Sequence, residues 1–509
     1  PVRLARLVIL PLIMNTTNRR AFIKTSALGT AGITIGGMGF SAKSYAAIAG
    51  ANERINLAVI GLRNQGTLHL TSYCGLKDSH NVHLRALCDT DEALFAPALK
   101  RVAEKSGQKP TTHWDLRAVF DDKDVHAVSI VVPNHWHALA AVWACQAGKD
   151  VYVEKPISHN IWEGRQFVAA ANQSRRVVQA GTQIRSSEGL IEAVAYVRSG
   201  QLGKVTAARG FCYKRRPSLG QVTGPQAVPA NINYDLWSGP APLIAPHRNS
   251  AKNGPVHYDW HWFWAYGNGD VGNQGIHQMD VARWFLGEAG LPRHTLSVGG
   301  RLGYVDDGQT PNTQIIVHDY ATAPLIFEVR GLPRADGTAM DKYRGVSIGN
   351  VIDCEHGYIV SDSYFAASAY DLNGRLLKEF KGTDRLMQNF IDVVRSRKTA
   401  ELYGPLEEAH VSSSLCHLGN ISHQLGQSVV AGEARAKLQG QPLLAEAHGR
   451  MVEHLASNQV DLAKASLTFG VPLAIDAQRE RFIGPEAAAA NALLTRQYRA
   501  PFVVPVVAT

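Results

Sequence analysis

The sequence predicts an α/β fold: an N-terminal Rossmann domain with a doubly wound parallel sheet, followed by a C-terminal α/β domain with a large, mostly antiparallel open sheet. Three observations carry this. Strand-like apolar runs near 55–60, 82–88, 127–132, 150–154 and 177–180 alternate with helical stretches. The first of them enters a glycine-bearing turn, Gly61-Leu62-Arg63-Asn64-Gln65-Gly66. Beyond about residue 200 long strand-like runs replace the alternation, at Lys204 to Tyr213, Val298 to Arg330 and Val346 to Val360. The expected division is 1–49 as a targeting segment, 50–180 as the nucleotide-binding domain and 181–509 as the substrate and oligomerisation domain.

Ile55 to Ile60 reads as a buried strand, and a helix follows from Thr67. Gly61 and Gly66 occupy the first and third positions of a dinucleotide fingerprint. Arg63 holds the middle one, where a glycine normally lets backbone approach a pyrophosphate. An arginine there can reach phosphate with its side chain, and Asn64 stands beside it. The second strand, Val82 to Cys88, runs into Asp89. An acid at that point can bond both adenosine ribose hydroxyls, which favours NAD and repels the 2′-phosphate of NADP. The third strand ends in Pro133-Asn134-His135-Trp136-His137. The fourth, Val151-Tyr152-Val153, ends in Glu154-Lys155-Pro156. Ligands of open α/β sheets sit at the carboxyl ends of strands, so Lys155 is placed to hold a substrate hydroxyl. Its pKa should fall on desolvation, and Pro156 fixes the backbone after it.

These segments, in this order, resemble the Gfo/Idh/MocA oxidoreductase family, to which glucose–fructose oxidoreductase and inositol dehydrogenases belong. The resemblance covers most of the chain from about Ile55, and the Glu-Lys-Pro element is its most specific mark. It implies a C-terminal sheet facing the nicotinamide and hydride transfer at a sugar or cyclitol carbon. It also implies that Pro133, Asn134, His137, Glu154 and Lys155 lie against the cofactor, and that the chain forms a homo-oligomer through the open sheet.

Within the second domain, Tyr234 to Trp284 is the richest stretch. Aromatic residues crowd it, Trp260 among them, and aromatic faces stack on sugar rings. Gly267-Asn268-Gly269-Asp270-Val271-Gly272-Asn273-Gln274-Gly275 then leads into a helix with His277, Asp280, Arg283 and Trp284. The family pattern resembled here has an aspartate four residues before the histidine; this chain has Asn273. His277 is the expected proton acceptor, with Lys155 as the donor that polarises the oxygen. Asp280, three residues on, is the expected replacement for the missing anion. Gln183, Arg185 and Tyr213 complete the expected substrate contacts. His410 and His417 read as structural, and Pro501-Phe502-Val503-Val504-Pro505 as a tail on the domain surface.

The net charge of +9 invites a polyanion partner, but Arg3, Arg6, Arg19, Arg20, Lys24 and Lys43 supply six of it before residue 50, with no acid among them. The remaining excess does not argue for nucleic acid. Thr17 to Lys24 looks like a twin-arginine export motif, followed by a short Gly/Ala/Thr-rich apolar run and a small-x-small site at Ala47-Ile48-Ala49. Export to the periplasm without stable membrane insertion is the expectation, with residues 1–13 an upstream extension ahead of Met14. Six scattered cysteines form no CxxC pair, and no metal site is expected. An exported enzyme has no free NAD pool to draw on, so a retained cofactor must be recycled on the protein. Two schemes do that: paired oxidation and reduction of sugars, or glycoside hydrolysis by oxidation, elimination, water addition and reduction. A nucleotide-binding sensor without catalysis is the reading from another class; Lys155 together with His277 argues against it.

Overall fold

The computed structural model describes residues 53–507 apart from 335, 336, 338, 432 and 439. The export motif and its apolar run lie outside the described residues.

The chain from Arg54 begins with a six-stranded parallel sheet: β1 (Ile55–Ile60), β2 (Val82–Cys88), β3 (Thr111–His113), β4 (Ala127–Ile130), β5 (Asp150–Val153) and β6 (Val178–Ala180), in the order β3-β2-β1-β4-β5-β6. β1 pairs in parallel with both β2 and β4, so the strand order reverses there, at the crevice where such sheets bind ligands. Helices α1 (Gln65–Gly75), α2 (Phe95–Ser106), α3 (Leu116–Asp121), α4 (Asn134–Gln146) and α5 (Ile161–Ser174) connect the strands. β1, β4 and β5 are apolar almost throughout because both faces of this sheet are covered.

The second domain starts with α6 (Glu188–Arg198) and β7 (Val205–Tyr213), and continues through α7 (Tyr234–Ser238) and α8 (Ile276–Leu286). Then come β8 (His294–Gly300), β9 (Thr313–Asp319), β10 (Leu325–Arg330), β11 (Ile348–Cys354), β12 (Gly357–Ser361), β13 (Ala366–Asp371) and β14 (Leu376–Lys381). With β15 (Gln427–Val430), β16 (Ser466–Phe469), β17 (Leu473–Asp476) and β18 (Arg481–Ile483) these make one twelve-stranded sheet. It is antiparallel except where β10 runs parallel to β7. Ala208 and Cys212 of β7 face a core shared with α6, α8 and α10 (Leu406–Gln424). Their neighbours in the alternation face the other way. Ala207, with Val298, Ile315 and Ile326, packs under Leu444, Met451 and Leu455 of α11 (Pro442–Ser457). The second face of the sheet, read from sequence as open, is thus in part covered by the chain's own helix.

Later segments also complete the nucleotide-binding domain. Leu386, Phe390 and Ile391 of α9 (Leu386–Ser396) join the core around Leu57 and Val59. Phe502 and Val504 are buried in the core on the other side of the sheet, with the Phe502 ring 5.5 Å from that of Trp136. The surface tail expected at 501–505 is therefore an anchored one. Its alternating Phe and Val side chains find a groove beside α4 that cannot be seen in the sequence. All six cysteines are free and buried. Among the described residues no helix is long and apolar enough to cross a membrane.

Candidate active site

A cavity of about 600 Å³ lies along the carboxyl ends of β1, β2, β4 and β5. Gly61, Arg63, Asn64, Asp89, Pro133, Asn134, His137, Glu154, Lys155 and Gln183 line it from the first domain, and Trp260, Asn273 and His277 from the second.

The turn after β1 exists because two residues lack a side chain. Gly61 has φ +93°, and a Cβ there would lie 2.2 Å from the Val131 carbonyl oxygen. A Cβ on Gly66 would lie 2.1 Å from the carbonyl oxygen of Gly61. The turn therefore closes tightly on the end of β4 and starts α1 at the cavity, where the positive end of the helix dipole favours an anion. The Arg63 side chain makes no ion pair or hydrogen bond within the described residues and is half-exposed at the cavity. Asp89 is aimed by backbone: Leu62 N–H donates to Oδ2 at 2.8 Å and Asp91 N–H to Oδ1 at 3.0 Å. Each oxygen keeps a lone pair for a further donor. This cradle fits a dinucleotide.

Glu154 is buried and carries its charge through local donors. His69 Nε2 donates to Oε1 at 3.0 Å, while His69 Nδ1 lies 2.8 Å from the Ser129 hydroxyl. Gln183 Nε2 donates to the same Oε1 at 3.1 Å and the Lys155 amide to Oε2 at 3.3 Å. Burial alone would raise this carboxyl; the His69 bond and the neighbouring Lys155 charge outweigh it and hold it at about 2. His69 was not foreseen. The only hint was a histidine among the buried positions of α1 that include Leu70, Tyr73 and Cys74.

Lys155 projects from the end of β5, followed by a cis Pro156. Its Nζ donates to the Asn273 carbonyl at 2.8 Å. Val271–Gly275 is a single π-helical turn, and such turns recur at functional sites. Asn273 thus contributes its backbone to Lys155. Burial pushes the Lys155 ammonium below its usual range, with Glu154 opposing and Lys214 adding to the effect. His137 fixes the same corner, its ring nitrogens 2.6 Å from Pro156 O and 2.7 Å from Val132 O. Asn134 Nδ2 donates to Asn268 Oδ1 at 3.0 Å and ties α4 to the second domain.

His277 is the second residue of α8, which lies close on the sheet because Gly275 admits the Phe327 ring; a Cβ there would come within 2.4 Å of it. Burial, and then the Lys155 charge, push His277 down to about 3, so the ring is neutral. Its Nδ1 is buried without a hydrogen-bond partner, and its ring centroid lies 5.1 Å from that of Tyr364. Tyr364 and Phe365, from the loop after β12, also line the cavity, and no sequence signal marked them.

Three expected residues sit elsewhere. Asp280 does not back His277: Arg185 clasps it, Nε to Oδ2 at 2.8 Å and Nη2 to Oδ1 at 2.8 Å, and the Ser412 hydroxyl donates to Oδ1 at 2.5 Å. A buried carboxylate takes the strongest donor within reach, and that is the guanidinium. Arg185 is spent on the same pair and lies outside the cavity lining. Tyr213 faces the opposite side of β7 from Cys212; its hydroxyl donates to Glu328 Oε2 at 2.7 Å. Arg216, three residues past the end of the same strand, forms a buried pair with Asp270, and His410 pairs with Glu480 at 3.0 Å. Among the described residues no cluster of His, Cys, Asp and Glu could hold a metal.

The segment after β7 binds back onto the first domain. Asn233 N–H donates to the Thr90 carbonyl at 2.8 Å and His257 Nε2 lies 2.9 Å from Asp91 Oδ2. His257, Tyr258, Trp260 and His261 consequently share the cavity with Gly61 and Asp89.

Comparison with known proteins agrees with this architecture. Residues 55–182 match the NAD-binding Rossmann-fold domain of the Gfo/Idh/MocA oxidoreductase family, and residues 191–309 match the C-terminal alpha/beta domain. The chain is 24% identical to levoglucosan dehydrogenase of Pseudarthrobacter phenanthrenivorans over 54% of its own length and 65% of that protein. It is 25% identical to glycosyl hydrolase family 109 protein 1 of Shewanella sp. strain ANA-3 over 38% of its length and 45% of that protein. It thus spans less than two thirds of either relative. In fold it is similar to the WlbA dehydrogenase of Bordetella pertussis in complex with NADH and UDP-GlcNAcA, with a TM-score of 0.51 at 16% identity, over 72% of this chain and 96% of that one. With both domains of the family matched in order, the chain belongs to the Gfo/Idh/MocA oxidoreductases.

Proposed function

We propose that this protein oxidises or reduces a ring CH–OH of a sugar, glycoside or cyclitol, with NAD held in the cleft through the catalytic cycle. One observation carries the reading: Lys155 and His277, from different domains, line the same cavity as Asp89 and the Gly61 turn. The turn, the start of α1 and Arg63 would hold the pyrophosphate, and Asp89 the adenosine ribose. NAD, when bound, supplies the two-electron chemistry. The chain's own residues handle the proton. His277, neutral in this setting, can accept the proton of the reacting hydroxyl. The Lys155 ammonium can donate a hydrogen bond to the same oxygen and stabilise the negative charge it develops. A 2′-phosphate at Asp89 would meet a carboxylate, which favours NAD over NADP. Denaturing the purified protein and weighing the released nucleotide tests this: mainly NAD is expected, and mainly NADP would overturn it.

The similarity to a glycosyl hydrolase family 109 protein supports a second reading, hydrolysis of a glycoside by oxidation, elimination, water addition and reduction. Incubation with a glycoside panel and mass separation of products distinguishes the two. An oxidised sugar or an oxidised–reduced pair supports the first, and a free aglycone without net oxidation the second. We further propose export directed by Arg19-Arg20 and the run after it. A fusion of residues 14–60 to a reporter should reach the periplasm, and equal export after Arg19→Lys with Arg20→Lys would sink that proposal.

A further inference from the structure

His261 lines the cavity together with His137, His257 and His277, and was not among the expected site residues. It lies in a short helical turn, Asp259–Trp262. Its Nδ1 is 2.5 Å from the Tyr258 carbonyl oxygen. A carbonyl can only accept, so Nδ1 carries the proton and Nε2 of the neutral ring carries the lone pair. Burial, with the charges of Lys155 and Arg216 adding to it, keeps the ring neutral, at about 3. The imidazole is stacked on the Trp260 indole, centroids 3.7 Å apart and planes 18° from parallel, with the Tyr258 ring 4.8 Å away. Nε2 has no hydrogen-bond partner among the described residues. The contrast with His277 is instructive. His277 has an unpartnered Nδ1, so nothing selects its tautomer, whereas backbone fixes that of His261.

Resting on the oxidoreductase reading above, we propose that His261 is a specificity residue. Its Nε2 accepts a hydrogen bond from a second substrate hydroxyl, not the reacting one. The site is then built for a polyhydroxylated ring rather than a simple secondary alcohol. An acceptor held in one tautomer by the main chain, its ring fixed on the Trp260 indole, matches a donor hydroxyl of a polyhydroxylated ring.

The test uses the NAD-loaded protein with levoglucosan, D-glucose, methyl α-D-glucoside and myo-inositol, following cofactor reduction. His261→Phe keeps an aromatic ring on Trp260 and removes the acceptor. On the ring polyol turned over best, KM should rise about tenfold with kcat changed less than about threefold. His261→Gln, which restores an acceptor, should recover part of the loss. One monodeoxy form of that polyol should cost the wild type the same factor and cost His261→Phe nothing more. Unchanged KM in His261→Phe, or an equal fall in kcat on every substrate and deoxy form, would overturn the proposal. If the wild type reduces its cofactor with none of the four, the oxidoreductase reading fails. His261 is then decided by histidine 15N NMR of the same NAD-loaded protein. An unprotonated Nε2 signal, identified by its absence in His261→Phe, that shifts when a polyol is added supports the assignment. A proton on Nε2, or no shift, refutes it.

Discussion

Asp91 Oδ2 lies 2.9 Å from His257 Nε2, joining the loop after β2 to the segment that follows β7. The same carboxylate accepts from Asn231 Nδ2 at 2.5 Å and caps a helical turn through Ala93 N–H at 3.0 Å. Since Asp91 has that second duty, the partner is the cleaner residue to remove. His257→Ala should loosen the segment over the cavity and speed release of bound NAD by about tenfold, the equivalent of one lost part-buried hydrogen bond. Exchange against labelled NAD measures it, and an unchanged rate would mean that the segment does not gate release.

Lys155→Met keeps the length of the side chain and removes its charge. Turnover should fall by a factor on the order of 10² or more while NAD stays bound. A single-turnover measurement of cofactor reduction, with bound NAD confirmed by mass, decides. Wild-type rates would make Lys155 a structural tie to Asn273 and nothing more.

Asp280→Asn leaves the Arg185 guanidinium buried with only the more exposed Glu408 as a charged partner. Loss of one partner from a buried pair costs about 3–5 kcal/mol, and Glu408 should keep this case near the lower figure. Denaturant unfolding measures the loss. Because Asp280 is tied to Arg185 and not to His277, activity per folded molecule should persist, and its disappearance would restore Asp280 to the catalytic group.

Glu154 is depressed from 4.5 to about 2 in the folded protein. A carboxyl lowered on folding adds stability that is fully present above its unfolded value and is lost as the pH falls through its folded one. The window is therefore from about pH 4.5 down to about pH 2. Thermal melts of wild type and Glu154→Gln across it should converge as the pH drops. A constant gap would show that Glu154 is not the titrating group.

The nucleotide-binding half was largely legible because its signals are local. β-Branched runs, two glycines and the acid after β2 each declare themselves within a few residues, and the strands appear where those runs are. β3 escaped because Thr111–His113 is short, polar and not buried. The site in the second domain was only half legible, because its geometry is set by partners far apart in sequence. The Arg185–Asp280 pair spans 95 residues, and neither side chain announces the other. Tyr213 turned on parity: alternation along β7 says that Cys212 and Tyr213 face opposite ways, but not which way the cavity lies. His261 sits in a crowd of aromatic residues where only the 2.5 Å contact to Tyr258 O sets it apart.

The burial of Phe502 and Val504 beside Trp136 bears on the order of events during synthesis. Domains usually fold in turn as they leave the ribosome, the first made settling first. Here the nucleotide-binding domain emerges early, yet its core is closed by α9 and by residues near 502, which are translated long after it. The early domain must wait, with both of its cores incompletely packed, until residues as late as Val504 have been made.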